Sequence, residues 1–201
     1  MDQADSISEV QHDEPQSNEQ PKKELSVTEK LERAQEFKEE GNALFKEKKV
    51  KAAMGKYHRC LLFVRGAEEH SRPEFMQLVT SADSRQKLPP ELQQRSDKLK
   101  MDCYNNLAAC LLQLEDANAR RVISYCDNVL ALSPNNAKAM YRKGVAYYNL
   151  NDFDTALRTL QQAEKHTRKP DASINNYLEL CQKAMKDYAE KEKQCYQKMF
   201  V

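Results

Sequence analysis

Five residues in this chain carry one kind of chemistry at a repeated spacing: Lys38 and Asn42, Asn106, then Lys138 and Arg142. Lys38/Asn42 and Lys138/Arg142 are each four residues apart, so on a helix both members of a pair share one face. Lysine offers three N–H donors, arginine a planar fork matched to a carboxylate, and asparagine a neutral amide with two donors. Brought together, such a set binds an anion with several oxygens. A peptide chain ending in Asp fits it, because its α-carboxylate and its side-chain carboxylate stand close to one another. No acidic residue on this stripe is an obvious internal partner for the two lysines and the arginine.

The elements that must position these residues are paired helices. From Asn136 to Ala163 apolar residues recur at helical spacing: Met140, Tyr147 and Leu150, then Phe153, Ala156, Leu157, Leu160 and Ala163. Asn151-Asp152 between the two runs is a turn signal that divides them into two helices. Gly144 lies inside the first helix, where it is less favourable than alanine by roughly 1 kcal/mol. Its presence there predicts a close approach by the second helix. One such pair cannot bury its own apolar face, so copies are expected. Upstream, in Ala34 to Ala67, Gly41 matches Gly144, Leu44 matches Tyr147, and Val50 matches Phe153. Ala53, Tyr57 and Cys60 match Ala156, Leu160 and Ala163. A third copy begins at Met101, with Ala108 in the glycine's place and Leu111 in the tyrosine's. Its turn is two residues longer, after which Val122, Cys126, Val129 and Pro134 fall into register.

In a stack of such pairs the first helices line a concave groove. Arg142 lies two residues before Gly144 and Asn106 two before Ala108. This register sets Asn106 beside Arg142 and leaves Asn105 out of the contact. Lys38 and Asn42 flank Gly41 on the same stripe.

Three copies of a 34-residue helix–turn–helix resemble the tetratricopeptide repeat. The departures are the missing tryptophan (Phe37, Tyr104 and Met140 stand there), Glu40 and Lys143 in place of a leucine, and the lengthened middle turn. The resemblance implies an all-α fold: three repeats stacked as a right-handed superhelix with a C-terminal capping helix. The pattern K-x-x-x-N … N … K-x-x-x-R resembles the dicarboxylate clamp of co-chaperone tetratricopeptide domains, which bind the C-terminal EEVD of Hsp90 and Hsp70. Carried over motif by motif, Lys38, Asn42 and Asn106 would hold the terminal carboxylate. Lys138 and Arg142 would reach the Asp side chain and the preceding peptide. KEEGN with YHRCLL, DCYNNLAACLLQLE, NAKAMYR with GVAYYNLNDFDTA, and the closing KEKQCYQKMF resemble the tetratricopeptide-repeat protein 9 family over roughly residues 30–201. The closing stretch also looks like the extension that follows the repeats in large immunophilins.

The chain divides into an acidic tail over 1–25, expected to be disordered, and a domain over 26–201. Repeats fall at about 34–67, 101–136 and 137–170, with an insertion at about 66–98 and a capping helix at about 172–199. Thr28 is the expected cap of a first helix running through Phe45. A second helix is predicted from Val50 to Val64 and a long one from Glu91 through Leu114. In the capping helix Tyr177, Cys181, Ala184/Met185 and Tyr188 share a face that would cover the last repeat.

Among 201 residues, 31% are charged and the net charge is +1; the tail holds −5, leaving +6 on the rest. No bulk field directs the chain to nucleic acid or membrane, no apolar run approaches the length of a membrane span, and the first residues lack the basic start and apolar segment of a secretory signal, so none is expected. Cys60, Cys103, Cys110, Cys126, Cys181 and Cys195 show no paired spacing and read as small reduced hydrophobes, which implies a cytoplasmic location. His12, His58, His70 and His166 are scattered, His58 and His166 at positions expected to be exposed. With no phosphate loop, metal motif or nucleophile motif, neither catalysis nor a cofactor is expected. The chain reads as a monomeric binding module for a chaperone tail; the alternative is a scaffold gripping an internal segment of a cytoskeletal or signalling partner.

Overall fold

The computed structural model describes residues 24–70 and 88–199. The tail as far as residue 23 and the middle of the insertion, 71–87, lie outside the described residues. Those described form seven helices: α1 (Val27–Lys46), α2 (Val50–His70), α3 (Pro90–Leu112), α4 (Ala119–Leu132), α5 (Ala137–Asn149), α6 (Phe153–Lys165) and α7 (Ala172–Met199).

Local chemistry accounts for where they start. At α1 the Ser26 hydroxyl accepts from the Glu29 N–H at 3.3 Å, and the Glu29 carboxylate accepts from the Ser26 N–H at 2.7 Å. This reciprocal box needs an acid three residues after the cap. Ser26 has one in Glu29, whereas Thr28 is followed at that distance by Leu31, so Ser26 and not Thr28 is the cap. Helix α3 opens on Pro90, whose missing N–H would have no intrahelical partner. Asn118, Asn136 and Asp152 cap α4, α5 and α6, each side chain accepting from the N–H three residues on. Asn151 makes the α5–α6 turn at φ 60°, and Lys48 makes the matching α1–α2 turn at φ 61°.

Helices α1/α2, α3/α4 and α5/α6 pair in sequence, and the first helices α1, α3 and α5 lie side by side, with α7 closing the far end. The glycines act where expected. A Cβ on Gly144 would stand 2.6 Å from Leu160 Cγ, and one on Gly41 2.7 Å from Tyr57 Cε1. In the middle repeat, where alanine replaces the glycine, Cys126 stands in place of the larger Leu160 and Tyr57 and shares a cluster with Ala108. The positions lacking tryptophan are filled: Phe37 packs on Phe63 with centroids 5.4 Å apart, Tyr104 on Tyr125 at 5.9 Å, and Met140 is buried. Glu40 and Lys143, which replace a leucine, pair with Lys56 of α2 and with Asp127 of α4.

One helix runs further than its sequence rhythm, and another is covered over less of its length than expected. Helix α2 continues past Val64 to His70, with Gly66 inside it, because Val64 and Ala67 are fully buried in one cluster with Leu99 of α3. Helix α7 buries Ile174 and Cys181 and sets Tyr177 edge-on to Tyr141 and Tyr148. Tyr188, expected on the covering face, is 68% exposed, and every residue from Lys186 to Met199 is exposed. The reason is length. At 28 residues α7 spans about 42 Å, while the thirteen of α6 span about 20 Å. Among the described residues no helix is long and apolar enough to cross a membrane.

Candidate functional site

The five residues singled out by spacing sit on the first helices: Lys38 and Asn42 on α1, Asn106 on α3, Lys138 and Arg142 on α5. Asn106 Nδ2 donates to Asn42 Oδ1 at 2.9 Å, joining α1 to α3. Arg142 Nη1 donates to Asn105 Oδ1 at 2.9 Å, joining α3 to α5. The expected contact between Asn106 and Arg142, with Asn105 excluded, is therefore corrected. Successive residues on a helix point about 100° apart. Since α3 lies between α1 and α5, Asn106 turns to one neighbour and Asn105 to the other.

A second correction concerns charge. Lys38 Nζ lies 3.1 Å from Asp102 Oδ2, with the Lys38 side chain 13% exposed and that of Asp102 43%. The groove thus holds an acid. Asp102 is one helical turn before Asn106, and the same spacing rule that linked Lys38 to Asn42 identifies it. Lys138 is exposed, one turn before Arg142, and among the described residues it has no ion pair or hydrogen bond.

Tyr57 was legible only as a packing residue. Its hydroxyl donates to Asn42 Oδ1 at 2.9 Å from below, so one amide oxygen takes two bonds. Burial pushes the Tyr57 pKa up, aided by Cys110 and Cys103, and the hydroxyl stays protonated as a donor. Burial lowers the Arg142 pKa, with Cys126 and Tyr141 opposing, but a guanidinium remains charged in proteins. Beneath it, burial raises the Cys110 thiol to about 11 and Cys126 to about 12, which makes both poor nucleophiles. Five of the six free cysteines are buried and Cys195 is exposed. His58, expected at the surface, is half-buried, its ring 6.2 Å from that of Tyr125.

The arrangement is a polar floor across three helices: an amide pair, an amide–guanidinium pair, and a cation at either side. It can donate several N–H bonds to one multi-oxygen anion.

Comparison with known proteins agrees with the architecture. The tetratricopeptide repeat pattern matches residues 113–175. Tetratricopeptide repeat protein 9C of Xenopus tropicalis is 37% identical over 175 residues, which is 87% of this chain and 96% of that protein. The C-terminal tetratricopeptide-containing domain of a Plasmodium falciparum FK506-binding protein superposes with a TM-score of 0.67 at 25% identity, covering 83% of this chain and 97% of that one. The Hsp90 co-chaperone Cns1 of Saccharomyces cerevisiae superposes with a TM-score of 0.62 at 26% identity, over 85% of this chain and 45% of its own. The chain is an all-α tetratricopeptide-repeat protein-binding module, and it belongs to the tetratricopeptide repeat protein 9 family.

Proposed function

We propose that the groove grips the C-terminal end of a partner chain, and that the end it takes is the EEVD terminus of Hsp90 and/or Hsp70. Lys38, Asn42 and Asn106 take the terminal carboxylate; Lys138 and Arg142 take the Asp side chain and the peptide before it. The observation that carries this reading is the pair of side-chain bonds, Asn106 to Asn42 and Arg142 to Asn105, that draw donors from α1, α3 and α5 into one floor. Likeness to Cns1, a protein named for Hsp90, supports the choice of chaperone tail. The domain works by binding, without catalysis or cofactor.

The test is calorimetric titration with a peptide ending in EEVD, its C-terminus free or amidated. Removing one partner of a hydrogen-bonded charge pair typically weakens binding by about 2–5 kcal/mol. Lys38→Ala and Lys138→Ala should therefore each abolish measurable capture while the helical signal is kept, and amidation should weaken binding strongly. Equal binding by both peptide forms, unmoved by either substitution, would refute the clamp and favour grip on an internal segment.

A further inference from the structure

Lys38 is nearly enclosed, and an enclosed ammonium without a counter-ion is strongly disfavoured. That counter-ion is Asp102, at 3.1 Å. Of the five groove residues, Lys38 alone has an acidic partner among the described residues: Arg142 bonds a neutral amide, and Lys138 has no polar partner. The two ends of the groove therefore differ. At the α5 end an arriving carboxylate meets cations with no anion beside them. At the α1 end it meets a lysine already neutralised. Asp102 is the more exposed partner of its pair, so it can leave for solvent at less penalty than Lys38.

We propose that Asp102 is a specificity-determining residue of this groove, an internal anion that occupies Lys38 in the empty domain and is displaced by an incoming chain-end carboxylate. This rests on the reading of the groove as a chain-end site. An amidated end keeps its Asp side chain for Lys138 and Arg142 but brings no α-carboxylate to displace Asp102, and it leaves the Lys38 pair closed. A free end exchanges one carboxylate for another at Lys38, so its affinity is held below what a bare lysine would provide. The net charge contributed by Lys38, Asp102, Lys138 and Arg142 is +2 (three cations less one anion), which also weakens attraction of the whole tail.

The experiment compares wild type with Asp102→Asn, which keeps the shape and removes the charge, using free and amidated EEVD-ending peptides at two salt concentrations. A neighbouring charge within a few ångströms shifts anion or proton binding by about one to three powers of ten. Partial exposure of Asp102 puts the expected gain near the lower bound, roughly tenfold tighter binding of the free-ended peptide. The amidated peptide should change less than about twofold, and the salt dependence for the free end should steepen. Asp102→Ala, with folding checked by circular dichroism, should repeat the gain. If a folded Asp102→Asn binds the free end no tighter than wild type does, the displacement is wrong while the chain-end reading stands. If neither wild type nor variant binds the free-ended peptide at all, both are wrong.

Discussion

Asn106 Nδ2 and Tyr57 Oη both donate to the single side-chain oxygen of Asn42, each at 2.9 Å. With its oxygen taken twice, the polar capacity Asn42 keeps for a ligand is that of its amide nitrogen, which only donates. The buried aromatic of α2 thus orients a polar residue of α1 that faces away from the core. Packing and recognition meet in one amide.

Replacing Tyr57 by Phe isolates that link. The ring and its packing against Gly41 remain, and only the hydroxyl is lost. A neutral hydrogen bond contributes about 1 kcal/mol, so urea unfolding should show a loss near that size. Peptide affinity should fall several-fold, because Asn42 is held by Asn106 alone. An affinity equal to wild type would show that Asn106 suffices to orient it.

The helix crossings supply a second test, with an internal control. Alanine at Gly144 would place its Cβ 2.6 Å from Leu160 Cγ, and the Ala156 carbonyl lies 3.5 Å away on the approaching backbone. Overpacking of this kind destabilises by about 1–3 kcal/mol, more than the gain in helix propensity offsets. Gly41→Ala should behave alike and should also weaken peptide binding, since it presses on Tyr57. Gly55, exposed and with nothing within 4 Å of an added Cβ, should do the reverse and stabilise by about 0.5–1 kcal/mol as alanine. Thermal melts of the three variants check the signs together.

These crossings were readable from sequence because a glycine inside a helix is unfavourable unless something occupies the missing side chain's space. The Asn151-Asp152 turn was readable for a similar reason: one residue tolerates positive φ and the next caps α6. The contact of Arg142 was not readable. Counting back from Gly144 and Ala108 fixes each residue's angle relative to its own partner helix, but not the roll of α3 between α1 and α5. A difference of one residue there exchanges Asn106 for Asn105. Asp102 was overlooked although spacing could have found it, since it stands one turn before Asn106 as Lys38 stands one turn before Asn42. The hydroxyl of Tyr57 escaped because apolar periodicity counts the ring and ignores the polar tip, although a buried tyrosine needs a partner for it.

The two short turns, alike in shape and unlike in residue, give a third prediction. Lys48 stands at φ 61° where its counterpart Asn151 stands at φ 60°. A side chain with a Cβ is disfavoured there by roughly 1–2 kcal/mol, and asparagine by less. Among the described residues Lys48 has no ion-pair partner (the neighbouring Lys49 is the one that pairs with Glu47), so Lys48→Asn should stabilise by about 0.5–1 kcal/mol. Asn151→Lys should lower stability by a comparable amount. Opposite shifts in melting temperature are expected, and shifts in the same direction would contradict the comparison.

The last prediction concerns pH. Burial lowers the His58 pKa, and the nearby Arg121 guanidinium lowers it further. The unfolded chain has the ordinary histidine value of about 6.5. Above that pH His58 is neutral in both states and contributes no pH dependence. As pH falls through 6.5 the unfolded chain takes up the proton first, so folding stability declines until the depressed folded pKa is reached. His58→Gln removes this term while keeping a polar side chain of similar reach. Urea unfolding at pH 7.5, 6.5 and 5.5 should show wild type losing more stability than the variant below 6.5, with the difference between them constant above it. The remaining histidines are common to both proteins, so the comparison reads His58 alone. A difference that stayed flat down to pH 5.5 would mean that His58 gains its proton in the fold as readily as in the unfolded chain, and that neither its enclosure beside Tyr125 nor the charge of Arg121 opposes protonation.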